Sequence, residues 1–175
     1  MSPSPSSVLV ALSGGGDSAL AAALLKEQGW RVKGLHFLLP APAIKKTERQ
    51  NSVRRIEERL KIPVSYVHLE DVFTQKVIEP FVEAYLQGLT PNPCVVCNQR
   101  IKFDHLVRQA DEEGIAFVAT GHYAVIKRPE DSPAELWRGM DQSKEQSYFL
   151  HRLEQRHLMR MVLPLGEITK KEARQ

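Results

Sequence analysis

The stretch Val8-Leu9-Val10-Ala11-Leu12-Ser13-Gly14-Gly15-Gly16-Asp17-Ser18 decides the fold, together with the alanine- and leucine-rich run 19–25 that follows it. The apolar residues predict a buried strand, the glycines a sharp turn, and the run after Ser18 a helix. The first turn of a helix presents unpaired N–H groups and the positive end of its dipole to the preceding loop. The stretch therefore predicts a strand–loop–helix unit that binds an anion such as a phosphate group.

Two common phosphate-binding loops do not fit this stretch. A Walker loop ends in Gly-Lys-Ser/Thr, and no lysine occurs before Lys26. Gly14, Gly16 and Ala19 do satisfy the G-x-G-x-x-A fingerprint of dinucleotide-binding proteins. That fingerprint also requires an acidic residue near the end of the second strand, and the predicted second strand, 32–38, contains none.

The run 13–18 resembles, at every fixed position, the S-G-G-x-D-S loop (PP-loop) of enzymes that cleave ATP between its α and β phosphates. A carboxylate among phosphates is repelled unless a cation lies between them, so Asp17 would help to hold Mg²⁺. The alternative is a glycine-rich turn that is capped by Asp17 or Ser18 and binds no ligand.

The composition is that of an ordinary globular domain. The chain has 175 residues, two cysteines only three positions apart, and a net charge of +3, which permits contact with nucleic acid without requiring it. Such a cysteine pair is not the disulfide framework of a small secreted protein. No apolar stretch reaches the ~18 residues of a membrane helix. The Ser- and Pro-rich segment 1–7 lacks the basic residues of a signal peptide, so we expect a disordered lead, a cytoplasmic protein and no membrane partner.

Strands and helices alternate along residues 8–122. The predicted strands are 8–12, 32–39, 64–69 and 115–120, and the predicted helices are 19–25, 45–60, 71–86 and 98–113. The third helix should be kinked at Pro80 and should turn Phe73, Val77, Phe81 and Tyr85 inward. This alternation predicts an α/β fold with a parallel sheet and helices on both faces. Ligands of such sheets lie beyond the carboxyl ends of the strands, which places Phe37 and Gly121 near the 13–18 loop.

Residues 123–175 follow a different pattern. Segments 123–126 and 135–138 predict a β-hairpin, and Thr169 to Glu172 has the spacing of a capping box, which begins a helix. Only three residues follow Glu172, too few for a stable helix, and we therefore expect the natural chain to continue past Gln175. The predicted organisation is a PP-loop ATP-binding domain at 8–122, followed by the hairpin and the start of a connecting segment at 123–175.

The predicted helix 45–60 is rich in basic residues, which are Lys45, Lys46, Arg49, Arg54, Arg55 and Arg59. These side chains could face RNA. They could equally form a solvated face that is partly balanced by Glu48, Glu57 and Glu58, and this second interpretation is favoured.

The segment Thr90-Pro91-Asn92-Pro93-Cys94-Val95-Val96-Cys97-Asn98 is a stiff loop that contains both cysteines. Its prolines restrict the backbone, and the helix predicted to begin at Asn98 would place Cys97 at a helix N-terminus, where a thiolate is stabilised. Cys94 and Cys97 could form a reversible disulfide, hold half of a metal or iron–sulfur site, or act as nucleophile and helper. A closed metal site needs about four ligands, and only His105 and His122 are further candidates; each is more simply a core or surface residue.

Five motifs in order carry a family resemblance. They are Ser13 to Ser18; Thr90 to Asn98 with Ile101-Lys102-Phe103; Ala119-Thr-Gly-His-Tyr123; Gln146-Ser-Tyr-Phe-Leu150; and Leu163-Pro-Leu-Gly-Glu167. With these motifs the chain resembles the N-terminal catalytic domain of the tRNA-specific 2-thiouridylases, which place sulfur at the 2-position of the wobble uridine of certain tRNAs. The resemblance covers nearly the whole chain.

The resemblance implies a role for each matching residue. The ATP phosphates would be lined by Ala11, Leu12, Ser13, Gly14, Gly15, Gly16, Asp17 and Ser18, and the nucleoside would be held by Phe37 and Gly121. Asn92, Pro93 and Cys94 would meet the target base, flipped out of its stack, and Cys97 matches the nucleophilic cysteine. Lys144, Glu145 and Gln146 match a segment that contacts tRNA. The cofactors implied are ATP and Mg²⁺, and the partners are tRNA and a sulfur donor or persulfide-carrier protein.

Three departures from the family pattern matter. Position 94 is Cys where many members carry Asp, which weakens an acid–base role there and strengthens an iron–sulfur role for Cys94 and Cys97. Glu145 stands where Asp is common. The second catalytic cysteine of the family, which carries the persulfide, has no counterpart in this sequence.

The sequence leaves three functions open. The first and favoured one is an ATP-dependent tRNA sulfurtransferase, or its catalytic domain, acting through an adenylated uridine. The second is a PP-loop enzyme that adenylates a small molecule, and the third is a non-catalytic subunit that binds a nucleotide or an iron–sulfur cluster.

Overall fold

A computed structural model describes residues 6–174 and confirms the predicted parallel sheet. The strands are β1 (Ser7–Ala11), β2 (Arg31–Leu38), β3 (Val64–His68), β4 (Phe117–Ala119), β5 (Ala124–Lys127), β6 (Glu135–Arg138) and β7 (Met161–Val162). Five of them form a sheet in the order β3-β2-β1-β4-β7, and every neighbouring pair is parallel. Strands β5 and β6 form the predicted antiparallel hairpin.

The helices follow the predicted alternation. They are α1 (Gly16–Glu27), α2 (Ala43–Leu60), α3 (Glu70–Phe73), α4 (Glu79–Leu86), α5 (Pro93–Cys97), α6 (Asp104–Glu112) and α7 (Gln155–Leu158). A π-helical turn, Thr74–Ile78, joins α3 to α4, and another, Asn98–Phe103, joins α5 to α6. Short 3₁₀ helices cover Ser147–Leu150 and Glu172–Arg174. Among residues 6–174, no helix combines the length and apolar character needed to cross a membrane.

Both faces of the sheet are covered, because successive side chains of β1 point to opposite sides. Val8 and Val10 pack with residues of α1 and α2, including Leu25 and Val53. Leu9 packs on the other face with residues of α6, which contributes Leu106, Val107 and Ala110. A strand buried on both faces explains the uninterrupted apolar run that begins the deciding stretch.

The helical region 70–86 deviates from a simple kinked helix. Pro80 has no N–H to donate to the carbonyl of Lys76, and the π-helical turn Thr74–Ile78 lies immediately before α4. Val77 is buried as predicted, but Tyr85 is 69% exposed, so its predicted inward orientation is wrong. The wider π turn changes the angular position of residues beyond it, so the regular helical spacing used for the prediction does not apply.

The chain after residue 122 contributes to the main sheet. Met161 and Val162 form its fifth strand beside β4, so the sheet is built from both predicted segments, 8–122 and 123–175. Near the N-terminus, Ser7 already belongs to β1, so the predicted disordered lead 1–7 is too long by this residue. The Ser6 carbonyl accepts a hydrogen bond from the Arg31 N–H at 3.0 Å, and residues 1–5 of the predicted lead lie outside the described residues.

Candidate nucleotide-binding and cysteine site

The 13–18 loop connects the carboxyl end of β1 to α1 in a shape that requires glycine. Gly14 has a φ of +83°, and a Cβ there would lie 3.0 Å from the Arg49 carbonyl oxygen. Gly15 occupies the N-cap position of α1 and offers no side-chain cap. The N–H groups of the first turn of α1 are therefore not covered by a capping side chain, and they lie where an anion would bind.

Ser13 and Ser18 hold the loop together from inside. The buried Ser18 hydroxyl accepts a hydrogen bond from the Ser13 N–H at 3.2 Å and donates to the Gly15 carbonyl at 2.9 Å. The Gly15 N–H is 3.3 Å from the Ser13 hydroxyl. These contacts fix the backbone conformation before any ligand arrives, which lowers the entropic cost of binding.

Asp17 is paired within the chain. Its Oδ1 accepts a hydrogen bond from the Tyr123 hydroxyl at 3.1 Å, and the same oxygen forms an ion pair with the Lys170 ammonium group. The Asp17 side chain remains 41% exposed. The hydrogen bond from the ammonium group to Asp17, with the attraction of that carboxylate, raises the pKa of Lys170, so the lysine is charged at neutral pH.

Gly121 lies against the same helical turn. A Cβ at this position would be 2.7 Å from the Asp17 carbonyl carbon and 2.8 Å from the Ser18 nitrogen, so the segment after β4 approaches α1 as closely as backbone allows. Phe37 is half-buried near the carboxyl end of β2. Next to it, the buried His36 ring nitrogen lies 2.7 Å from the Leu12 carbonyl oxygen. The predicted nucleoside-contacting residues thus lie at the edge of the sheet that carries the loop.

The cysteine loop differs from its prediction in where the helix begins. The helix starts at Pro93 and not at Asn98, and the Asn92 side chain caps it by accepting a hydrogen bond from the Cys94 N–H at 3.1 Å. The prediction that Cys97 lies at a helix N-terminus is therefore wrong. Pro93 suits the first helical position because its missing N–H has no helical partner there in any case.

The two cysteines have different environments. Cys94 is exposed, whereas Cys97 is buried at 8% exposure, and burial raises the pKa of the Cys97 thiol although nearby Lys102 partly offsets this. In this arrangement Cys97 is mainly a protonated thiol at neutral pH.

Asn98 links the cysteine helix to the Ser147–Leu150 segment. Its side-chain N–H₂ donates to the Phe149 carbonyl at 3.1 Å, and its buried Oδ1 has no hydrogen-bond partner within residues 6–174. Gln146 is bonded twice to Tyr123, through its own N–H at 3.0 Å and through Oε1 at 3.1 Å. The predicted tRNA-contacting segment is thereby attached to the residue that bonds Asp17.

The remaining residues of that segment are partly used for local structure. The Glu145 carboxylate accepts a hydrogen bond from the Ser147 N–H, which supports the start of the 3₁₀ helix. Lys144 is exposed, and its backbone N–H donates to the Asp141 carbonyl at 3.0 Å. Lys144 is the member of the three whose side chain is presented to solvent.

The described residues do not assemble a metal centre around the cysteines. In the range 6–174, no three or more His, Cys, Asp or Glu side chains are grouped as ion ligands, so an iron–sulfur cluster at Cys94 and Cys97 would need ligands from elsewhere. His122 is engaged with Thr120, whose hydroxyl lies 2.7 Å from Nδ1. Burial and the charge of Lys102 lower the pKa of His122 to about 3, which keeps the ring neutral.

A basic cleft of about 380 Å³ lies between the two π-helical turns and α6, with Lys76 from the first turn and Arg100 from the second in its lining. Its charged lining comprises the basic residues Lys76, Arg100, Arg108 and Arg156 and the carboxylates Asp104 and Asp111, with His105 among them. Burial, followed by the positive charges of Arg108 and Lys76, lowers the pKa of His105. Asp104 balances part of this charge through its ion pair with Arg156, and the same Asp104 oxygen lies 2.9 Å from His157 Nε2.

Three residues of the site were not assigned a role from the sequence. Tyr123 ends the motif 119–123, Lys170 lies inside the predicted capping box, and Asn98 ends the cysteine loop. The Tyr123 and Asn98 motifs could have pointed to the site, whereas local sequence holds no signal for the ion pair between Asp17 and Lys170, which are 153 positions apart.

A parallel sheet with helices on both faces, carrying an S-G-G-x-D-S loop at the end of its first strand, defines an α/β protein of the PP-loop (HUP) class. The family model described as "tRNA methyl transferase HUP domain" matches residues 6–175, and the chain belongs to that family.

Named relatives agree with this assignment. The chain is 43% identical to the tRNA-specific 2-thiouridylase MnmA of Carboxydothermus hydrogenoformans and 46% identical to that of Geobacter metallireducens, with 96% of this chain and 49% of each relative covered. The chain thus spans about half the length of the curated relatives it matches. A solved structure titled as a predicted subunit of tRNA methyltransferase from Methanocaldococcus jannaschii shares the fold, with a TM-score of 0.59, 19% identity, and coverage of 97% of this chain and 72% of that one.

Proposed function

We propose that this chain is the ATP-binding and uridine-activating part of an ATP-dependent tRNA 2-thiouridylase. One observation carries the proposal: Asp17 of the phosphate loop, Gly121 and Tyr123 after β4, and the Gln146 segment are joined by direct contacts at one edge of the sheet. The named relatives are tRNA-specific 2-thiouridylases, and they share 40–46% identity with this chain.

The loop residues 13–18 would bind the phosphates of ATP through the N–H groups at the start of α1, with Ala11 and Leu12 leading into the loop. Phe37 and Gly121 would border the nucleoside. Asp17 suits Mg²⁺, because this ion commonly takes one or two carboxylates and completes its shell with phosphate oxygens and water. Bound there, Mg²⁺ would neutralise charge on the phosphates.

The chemistry follows from the poor leaving-group quality of a uracil carbonyl oxygen. In the proposed reaction the uridine O2 attacks the α-phosphorus of ATP, an O–P bond forms, and pyrophosphate leaves. A sulfur nucleophile then attacks C2 and the C–O bond breaks, so that AMP departs with the oxygen. The N–H groups of the loop would stabilise the charge that develops on pyrophosphate.

Cys97 is proposed as the nucleophilic cysteine, and Asn92, Pro93 and Cys94 as the residues that meet the flipped base. The burial of Cys97 means that the thiol must be uncovered or deprotonated when tRNA binds, since only a thiolate is an effective nucleophile. A sulfur donor or persulfide-carrier protein, tRNA contact by Lys144, Glu145 and Gln146, and a cytoplasmic location complete the proposal.

Nucleotide binding is tested by calorimetry with a non-hydrolysable ATP analogue and MgCl₂. The wild-type chain should bind. Asp17→Ala should weaken binding in the presence of Mg²⁺, and Gly15→Val should block the approach of phosphate to the loop. Asp71→Ala, which removes an exposed carboxylate from α3, is the matched control and should bind like wild type. A wild-type chain without affinity for the analogue would refute the proposal.

A further inference from the structure

Lys170 reaches the phosphate loop from the far end of the described chain. Its ammonium group forms the ion pair with Asp17 Oδ1 and lies 5.7 Å from the centre of the Tyr123 ring. Asp17 is the second residue of α1, so the ammonium group lies at the first turn of that helix. This is the end of α1 that the proposed function assigns to the phosphates of ATP.

The backbone that carries Lys170 is anchored on several sides. The Lys170 N–H donates to the Asp141 carboxylate at 2.8 Å. Thr169 and Glu172 form the predicted capping box, with the Thr169 N–H 2.7 Å from Glu172 Oε2 and the Glu172 N–H 3.2 Å from the Thr169 hydroxyl. Leu165, fully buried, packs with Tyr123. The flexible part of Lys170 is therefore its side chain, which is 24% exposed.

The ammonium group of Lys170 stays at the first turn of α1 only as long as Asp17 attracts it. The first turn of a helix carries a partial positive charge, which disfavours a cation, so the carboxylate of Asp17 is what holds Lys170 there. A nucleotide triphosphate brings several negative charges to the same turn. It would be repelled by an unpaired Asp17, and it would compete with Asp17 for the lysine.

We propose that Lys170 is a phosphate-binding residue of the loop, held by Asp17 when the loop is empty and donated to the phosphates of the nucleotide when it is filled. The inference rests on the proposed nucleotide binding and adds to it a residue from outside the loop. It assigns two tasks to one side chain: neutralising Asp17 before binding and contacting phosphate afterwards.

The ATP affinities of four proteins separate these tasks. They are measured by calorimetry in EDTA, so that no metal acts on Asp17. The four proteins are the wild type, Asp17→Asn, Lys170→Met and the double variant. In the Asp17→Asn background there is no carboxylate to neutralise, so a lysine that only balances Asp17 would no longer matter. If Lys170 contacts phosphate, adding Lys170→Met to Asp17→Asn should still weaken ATP binding by about tenfold, the scale of a hydrogen bond to a charged group.

Equal affinity of Asp17→Asn and the double variant would overturn the inference, while wild-type binding with Mg²⁺ would leave the proposed function intact. Absence of wild-type binding with Mg²⁺ would overturn both. Lys170→Arg keeps the charge and should recover part of the lost affinity. Lys171→Met removes the same charge from the exposed neighbouring residue and should bind like wild type. Thermal melting of each variant serves as the control for folding. In the double variant no carboxylate remains at position 17, so the loss of Lys170 leaves no charge without its partner.

Discussion

Gly121 shows at the scale of a single residue how closely the sheet and α1 approach. Its missing side chain makes room for the backbone of Asp17 and Ser18, which a Cβ would meet at 2.7–2.8 Å. Gly121→Ala should therefore lower the free energy of unfolding by about 2 kcal/mol, the usual cost of forcing extra atoms into packed structure. Denaturant unfolding measures this loss.

Gly16→Ala provides the comparison for Gly121. A Cβ at position 16 meets no atom within 4 Å, and the substitution should change the unfolding free energy by only about 0.5 kcal/mol. Equal stability of Gly121→Ala and wild type would show that the contact between the two backbones is looser than the structure has it.

The two thiols lead to a second prediction at this scale. Although the sequence suggested a reactive Cys97, the exposed Cys94 should be alkylated first in the nucleotide-free chain, because Cys97 is buried and its pKa is raised. Treatment with a limiting amount of iodoacetamide, followed by peptide mass mapping, gives the ratio of labelled Cys94 to labelled Cys97.

In denaturant both cysteines should be labelled alike, which serves as the control for intrinsic reactivity. Faster labelling of Cys97 in the folded chain would mean that the helix from Pro93 opens readily in solution.

At the scale of elements, the helical region that begins with the cysteine helix α5 (Pro93–Cys97) is tied to the Ser147–Leu150 helix. Asn98 forms the direct side-chain link between them, through its hydrogen bond to the Phe149 carbonyl. Asn98→Ala should lower the unfolding free energy by about 1–2 kcal/mol, because it removes the hydrogen bond and leaves the half-buried Phe149 carbonyl without this donor.

Cys97 ends α5 and Asn98 begins the π-helical turn that follows it, so Asn98→Ala should also speed the alkylation of Cys97. Gln99→Ala removes a half-buried amide from the next position and should leave the labelling rate of Cys97 unchanged. Unchanged labelling in both variants would argue that the link does not control access to the thiol.

At the scale of the whole molecule, the proposed tRNA binding makes the basic cleft a candidate surface for the RNA backbone. Lys76 and Arg100 are exposed and line the cleft together. Lys76→Glu combined with Arg100→Glu should weaken tRNA binding by about tenfold or more and reduce its dependence on salt, whereas the affinity for ATP should not change. Filter binding across a salt series measures the affinity for tRNA and its dependence on salt, and calorimetry measures the affinity for ATP.

The exposed basic side chains of α2 test the alternative RNA-binding surface suggested by the sequence. Arg54→Glu combined with Arg55→Glu makes the same charge change on that helix and should weaken tRNA binding less than the change in the cleft. A larger loss from the α2 variant would place the RNA on α2 instead.

Local sequence was enough to determine the architecture and the position of the phosphate loop. The alternation of apolar strands with helical segments holds over 7–119, and Gly14, with its positive φ, marks a turn that few other residues could form. These features depend on neighbouring residues and on backbone sterics, which are written in the chain order. The motifs also carried the family assignment, because their order and spacing are properties of sequence alone.

Only the tertiary structure decided which groups meet across the sheet edge. The two-residue strand Met161–Val162 is too short for any periodic pattern, and its place beside β4 comes from pairing with a strand already formed. The burial of Cys97 depends on packing with Leu69, Val77 and Ile101 from other turns of the chain. The pairing of Asp17 with Lys170 joins opposite ends of the described chain, and long-range contacts of this kind arise from how the elements are stacked rather than from any local preference.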